Sequence, residues 1–343
     1  MSAARILQEV CAAETREVAL DDNDRPVAVR LTRLTEDRPV KIGQLVTGRL
    51  RAIALNQGGG FVELDDRAGE AFLRLKEGHG LTEGQSLELR VVAEPREGSK
   101  LARVALSEKA PDSLALAPWD SVRTEQVEPG DHTVAMAFDI AVSDTVNLPG
   151  GGNIALERTR ALVAVDVDTS GRSDTGRAAS RALKVNLEAA GELARQVRLR
   201  NLGGLVVMDC VSPLNREAGK QVRDRFASVF RDISGQHVKV LQPSELGLLQ
   251  ASIEWAETPI AERMLDAFGE KTPQTVCFDG FRRLEQEARA KRMDKLCLDL
   301  PRHALDWLNH DGVSLRQALA EKYGDRFTYD STDPKTPLVF SVP

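Results

Sequence analysis

Two aspartates stand where chemistry could be done. Asp166 closes the apolar run Ala161-Leu162-Val163-Ala164-Val165, and Asp209 closes Leu205-Val206-Val207-Met208. Short apolar runs of this kind read as buried strands. Between them, about residues 178–200 read as a helix, because Leu183, Leu187, Ala190, Ala194 and Val197 recur at spacings of four and three. A strand–helix–strand crossover makes the two strands parallel in one sheet. Both carboxylates then reach the same edge, where open α/β sheets commonly bind ligands. Two carboxylates brought together repel unless a cation lies between them. Oxygen ligands suit a hard divalent ion, Mg2+ or Mn2+, and such an ion can orient water and offset charge developing on a phosphodiester. The competing reading is that one Asp caps the loop that follows it. Asp168, two residues on, is open between a ligand and an Asx-turn residue.

No other pattern competes with this pair. The sequence lacks GxxxxGK[ST], HExxH and GxSxG motifs. His79, His132, His237, His303 and His310 have no metal-ligand spacing, and Cys11, Cys210, Cys277 and Cys297 form no CxxC pair. Scattered cysteines fit buried thiols in a reducing cytosol and exclude a disulfide framework. The net charge of −6 argues against a uniformly basic nucleic-acid binder, yet arginine and lysine are dense from Arg172 to Arg231. A local basic field in an acidic protein remains compatible with phosphate binding. Solvated helix faces explain each such residue singly.

The elements that must position the pair follow from the remaining pattern. The chain of 343 residues suggests two or three units. Residues 1–38 alternate with period two around the Asp21-Asp22-Asn23-Asp24 turn, a hairpin-like start. Residues 39–109 hold recurring short strands separated by glycine and charged turns, the pattern of a small barrel. Phe61, Phe72 and Lys100 on one barrel face could stack bases and hold a phosphate; alternatively both rings are barrel core. Residues 110–147 read as a connector ending in Leu148-Pro149-Gly150-Gly151-Gly152-Asn153, a turn whose glycines could also let backbone approach RNA. Residues 154–242 read strand–helix–strand–helix–strand. In 243–343, helices are expected near 257–268, 281–292, 301–308 and 313–322, and strands over Gln274–Phe278 and Phe327–Tyr329. No apolar run approaches the roughly 18–20 residues of a membrane span, and the N-terminus lacks the apolar stretch of a signal peptide. A cytoplasmic location with no membrane partner is the expectation.

Residues 148–154 and 159–169, with Asn186-Leu-Glu-Ala-Ala-Gly-Glu-Leu-Ala-Arg through Leu205-Val-Val-Met-Asp209, resemble the catalytic segments of the ribonuclease E/G family. The resemblance implies an α/β catalytic core of DNase I-like/RNase H-like type with an inserted all-β OB-fold RNA-binding domain. It divides the chain into RNase H-like opening strands (1–38), the OB-fold (39–109), a connector (110–147), the metal-dependent core (148–255) and a C-terminal small helical or mixed region (256–343). Asp166 and Asp209 fall on the family's magnesium ligands. Asp168 falls where the family usually has Asn, supporting the metal or the attacking water, so the exchange keeps an oxygen and adds charge. Phe61, Phe72 and Lys100 fall on its RNA-contacting positions. The implied activity is magnesium-dependent endoribonucleolytic cleavage of single-stranded RNA, in processing or decay, with Mn2+ an alternative ion.

Three departures from the family pattern bear on that activity. Only 110–147 is available for the region that senses a 5′-monophosphate, so that sensor is expected to be lacking. The CPxC zinc link is absent, so neither structural zinc nor a zinc-bridged tetramer is expected, and the oligomeric state stays open. Glu245-Leu-Gly-Leu-Leu-Gln-Ala-Ser-Ile-Glu-Trp255 stands where the family has several Arg residues. The last departure motivates the alternative, a catalytically weakened RNA-binding protein derived from the same family. A phosphatase acting on a small substrate would explain the paired Asp residues but not the β domain.

Overall fold

The computed structural model describes residues 3–34, 40–65, 69–96, 100–109, 119, 122–236 and 238–342. In chain order, three strands open the chain: β1 (Ala3–Val10), β2 (Glu14–Asp21) and β3 (Pro26–Arg33). Five more follow: β4 (Leu45–Ala54), β5 (Gly59–Leu64), β6 (Glu70–Arg74), β7 (Ser86–Ala93) and β8 (Ala102–Leu106). After β9 (Thr124–Val127) and α1 (His132–Val142) come β10 (Thr145–Asn147), β11 (Asn153–Arg158), β12 (Leu162–Asp168), α2 (Ala178–Leu199), β13 (Gly204–Asp209), α3 (Arg216–Ser234), β14 (Lys239–Leu241) and β15 (Leu248–Ile253). The chain ends with α4 (Ile260–Met264), α5 (Pro273–Ala290), β16 (Lys295–Asp299), α6 (Arg302–His310), α7 (Val313–Tyr323), β17 (Phe327–Asp330) and β18 (Leu338–Val342).

These elements form two units. The first gathers the described residues of 37–121 and 144–259. Its β4-β5-β6-β8-β7 strands close into a barrel. The β6–β8 pair is parallel and the others antiparallel. Five strands closed in this order are OB-like. Alternation turns Val62, Leu64, Ala71 and Leu73 into a core shared with Leu50, Leu89, Val91 and Val104. The same alternation leaves Phe61 and Phe72 on the outer side, half-buried.

The second part of this unit is a sheet of order β10-β11-β12-β13-β15-β14. Only β12 and β13 pair in parallel; the other neighbours are antiparallel. The parallel pair is the one joined through α2, as the crossover pattern predicts. One side of the sheet is fully apolar, with Val163, Val165, Val206, Met208, Leu249 and Ala251 buried. Ile253 on that side shares a small cavity with Val197 of α2 and Phe230 of α3, so the helices' apolar stripes lie there. β12 runs two residues beyond the expected end, to Asp168.

The other unit gathers the described residues of 3–36, 122–143 and 260–343. One sheet runs β3-β2-β1-β9 and another β17-β16-β18. Within 110–147, read from the sequence as a connector, the described residues include the helix α1. Gln274–Phe278, expected as a strand, lies instead in the first turns of α5. Thr272 accepts a hydrogen bond from the Thr275 amide, and Pro273 occupies the first turn. Both are helix-start signals, and they override the β-branched run. The strand of this region is β16, the middle of its sheet.

A buried ion cluster sits in this unit. Glu14 accepts from Arg16 Nε at 2.8 Å and Arg33 Nε at 2.7 Å, and also pairs with Arg282. Burial alone would raise its pKa, but the guanidinium groups of Arg16, Arg282 and Arg33 outweigh it and hold the carboxyl at about 2. A depressed folded-state value gives stability that is complete above the ordinary 4.5 and is lost as pH falls toward about 2. Glu14→Gln should therefore destabilise the protein by about 3–5 kcal/mol at neutral pH. The deficit should shrink as denaturant unfolding is repeated from pH 5 down to pH 3; a pH-independent deficit would contradict the ion-pair account.

Candidate active site

The site grows from the register of β12 and β13. Leu162 pairs with Leu205 and, three steps on, Val165 pairs with Met208. One further step sets Asp166 beside Asp209. With Val163, Val165, Val206 and Met208 on the buried side, the period of two puts both carboxylates on the opposite side. Both residues are exposed. Neighbouring strands lie about 4.8 Å apart, within the span of two carboxylates sharing one ion. Exposure also means that neither Asp bears the desolvation cost of a buried charge.

Asp168 shares the parity of Asp166, at the last position of β12. Its carboxylate accepts from the Ser170 amide at 2.9 Å, the Ser170 hydroxyl at 2.7 Å and Asn153 Nδ2 at 3.1 Å. The Ser170 bonds are those of an Asx turn. With the Asn153 bond they hold the carboxyl below its usual range, the Ser170 hydroxyl contributing most.

Several residues missed in the sequence fix this arrangement. Asn153 is the register partner of Asp168 across β11 and β12. Gly152, with φ +73°, lies so close to the Asp168 carbonyl that a Cβ there would overlap it. The triple-glycine turn thus seats β11 against the end of β12. Arg172 binds the Gly151 carbonyl at 2.7 Å, Asp174 at 2.7 Å and Glu188 of α2 at 2.9 Å, tying turn, loop and helix together. Asn186 of α2 is fully buried. It donates to the Val211 carbonyl and accepts from the Val211 amide, both at 2.9 Å, so the chain leaving Asp209 is clamped at both backbone polar groups. The legible signal was a polar residue amid the apolar positions of α2. On the other flank, Cys210 donates to the Gly247 carbonyl at 3.1 Å. That turn leaves Leu246, 82% exposed, next to the Asp209 strand end.

The donor chemistry fits a hard divalent cation. Among the described residues, no group of three or more His, Cys, Asp or Glu side chains converges on one point. Asp166 and Asp209 therefore supply two carboxylates, and magnesium, which keeps several waters and is commonly bound through one or two carboxylates, suits that number.

On the barrel, Phe61 and Phe72 are register partners whose rings meet edge to face, centroids 5.6 Å apart. Gly59 permits this: a Cβ there would overlap the Leu73 carbonyl and the Phe72 ring. Phe72 in turn pairs in parallel with Arg103, which is anchored to Glu254 at 2.9 Å and to the Trp255 carbonyl at 2.7 Å. Lys100 is exposed and bridges Arg96 just ahead of β8. The structure thus joins the two rings on one outer face and places Lys100 at the neighbouring strand's entrance.

Fold and site together define an α/β protein with an attached OB-like barrel and a paired-carboxylate strand edge. Residues 110–254 match the model of the Ribonuclease E/G family. The Ribonuclease E of Haemophilus influenzae is 32% identical over 151 residues, 42% of this chain and 16% of that protein. The Ribonuclease E of Escherichia coli K12 is 33% identical over 121 residues, 35% of this chain and 11% of that protein. A chloroplastic Ribonuclease E/G-like protein of Arabidopsis thaliana is 37% identical over 112 residues, 32% of this chain and 11% of that protein. The matched stretch is thus under a fifth of each relative's length. Over residues 110–254 the chain is similar to the Ribonuclease E/G family.

The outward rings give a stability test. Phe61→Ala and Phe72→Ala should each cost only about 1 kcal/mol, whereas Leu73→Ala, in the barrel core, should cost about 2–5 kcal/mol. Urea unfolding checks the contrast; equal losses would mean that the rings are core after all.

Proposed function

We propose that this protein is an endoribonuclease that hydrolyses the phosphodiester backbone of single-stranded RNA, in cytoplasmic RNA processing or decay. The observation that carries the reading is the parallel register of β12 and β13, whose last pair, Val165 with Met208, directly precedes Asp166 and Asp209, within the segment that matches the family. Asp166 and Asp209 would hold Mg2+, with Mn2+ able to replace it; the bound ion supplies a polarised water and a counter-charge for the phosphate. Asp168, held by Ser170 and Asn153, would support the metal or position the attacking water. The outer barrel face serves substrate binding. Phe61 and Phe72 present aromatic surface for base stacking, and Lys100 a cation for a backbone phosphate.

A weakened RNA-binding relative is the second reading, favoured by the segment 245–255, with Glu245 and the exposed Leu246, where the family resemblance implies several arginines. One variant separates the two. Asp209→Asn should abolish cleavage of an AU-rich oligoribonucleotide, by at least about a hundredfold, while its RNA affinity and unfolding midpoint stay within twofold and a few degrees of wild type. Binding without cleavage by the wild-type protein in Mg2+ and in Mn2+ would favour the second reading.

A further inference from the structure

Beyond the carboxylate pair, the edge where β12 and β13 end carries exposed cations that form no ion pair among the described residues. α2 and α3 both start there, each after the loop leaving one of the two strands, and they pack side by side. Around their N-termini lie Arg177, the N-cap of α2, and Arg181 of α2, with Arg216 and Lys220 of α3, all exposed. None has a carboxylate partner among the described residues. Arg181 reaches only the Gly176 carbonyl, at 3.1 Å. The first turn of α2 contains no acidic residue, and that of α3 has Glu217 alone.

Cations are disfavoured at that end of a helix, where the backbone dipole is positive. Arg181 and Arg216, near the helix starts, are unfavourably placed for folding alone, and a bound anion would offset that. A cavity of about 370 Å³ opens between the two loops, lined among others by Thr169, Arg172, Arg181, Val211 and Ser212. It falls within the roughly 300–1,000 Å³ of small-ligand clefts. Asp174 in its wall is already bound by Arg172 and Lys184, which leaves Arg181 as the charge of the wall without an ion pair.

We propose that this surface carries the RNA phosphates that flank the cleaved bond. The polyanion crosses the strand edge from the carboxylate side, places a nucleotide in the cavity with its phosphate on Arg181, and continues over Arg216 and Lys220. The proposal rests on the endoribonuclease reading for its substrate, while its test needs no cleavage. It adds a second RNA-contacting surface, distinct from the barrel face.

The experiment is fluorescence anisotropy of a labelled AU-rich single-stranded RNA in EDTA, over a range of salt concentrations. Each phosphate contact contributes about 0.7 to the slope of log affinity against log salt for single strands. Arg181→Gln/Lys220→Gln should flatten the slope by about 1.4. The control Arg231→Gln/Lys239→Gln removes two exposed cations, one from the last turn of α3 and one from β14, and should leave the slope unchanged. The first variant should also melt at the same temperature as wild type or slightly higher, because like charges leave a helix start. Unchanged slopes in both variants, or equal flattening in both, would overturn the proposal. RNA binding with the predicted slopes but no metal-dependent cleavage would support this surface and defeat the hydrolytic reading alone. No RNA binding by wild type would defeat both.

Discussion

The parallel pairing of β12 with β13 governs the rest of the site. Its register, from Leu162 with Leu205 to Val165 with Met208, decides that Asp166 and Asp209 lie side by side, one strand spacing apart. A one-residue slip would turn one carboxylate into the apolar side. The surrounding bonds act against that slip. Asn186 holds the chain after Asp209 from α2. Arg172 fastens the loop after β12 to the same helix and to the glycine turn, and Asn153 grips the end of β12 from the other side. The crossover helix is therefore more than a connection: it carries the side chains that hold both strand ends.

Charge is handled in opposite ways in the two units. Glu14 is sealed among Arg16, Arg33 and Arg282, with every charge answered, as burial requires. At the strand edge, Asp166 and Asp209 are exposed, with no such arginine cage. Like charges tolerated in water can still share an ion, and under the proposed function solvent access would let the ion and a phosphate arrive together. Asp168 lies between these regimes, its oxygens engaged by local donors but open to water.

Much of this was legible in the sequence because it is carried by local pattern. Apolar runs ending in Asp166 and Asp209, the intervening helix and the barrel's short strands all follow from periodicity. The crossover rule then supplied the parallel pairing. What periodicity could not supply was side-chain direction and long-range partnership. Phe61 and Phe72 belong to strands whose alternation could face either way, and only closure of the barrel sets them outward. Asn186 and Arg172 act on residues 25 and 21 positions away, a separation that no local pattern encodes. Gln274–Phe278 shows the converse failure: the β-branched run was weighed above the cap and proline immediately before it. β16 and β18 carry no local signal of this kind: residues 295–299 and 338–342 join one sheet through pairing with each other and, for β16, with β17.

The account stands on two carboxylates sharing one divalent ion. Titration of the protein with Mn2+, followed by electron paramagnetic resonance of the free ion, tests this most directly. The prediction is one bound Mn2+ per chain, lost in Asp166→Asn and equally in Asp209→Asn, with both variants folded as judged by circular dichroism. Retention of the ion at wild-type affinity by either folded variant would contradict it.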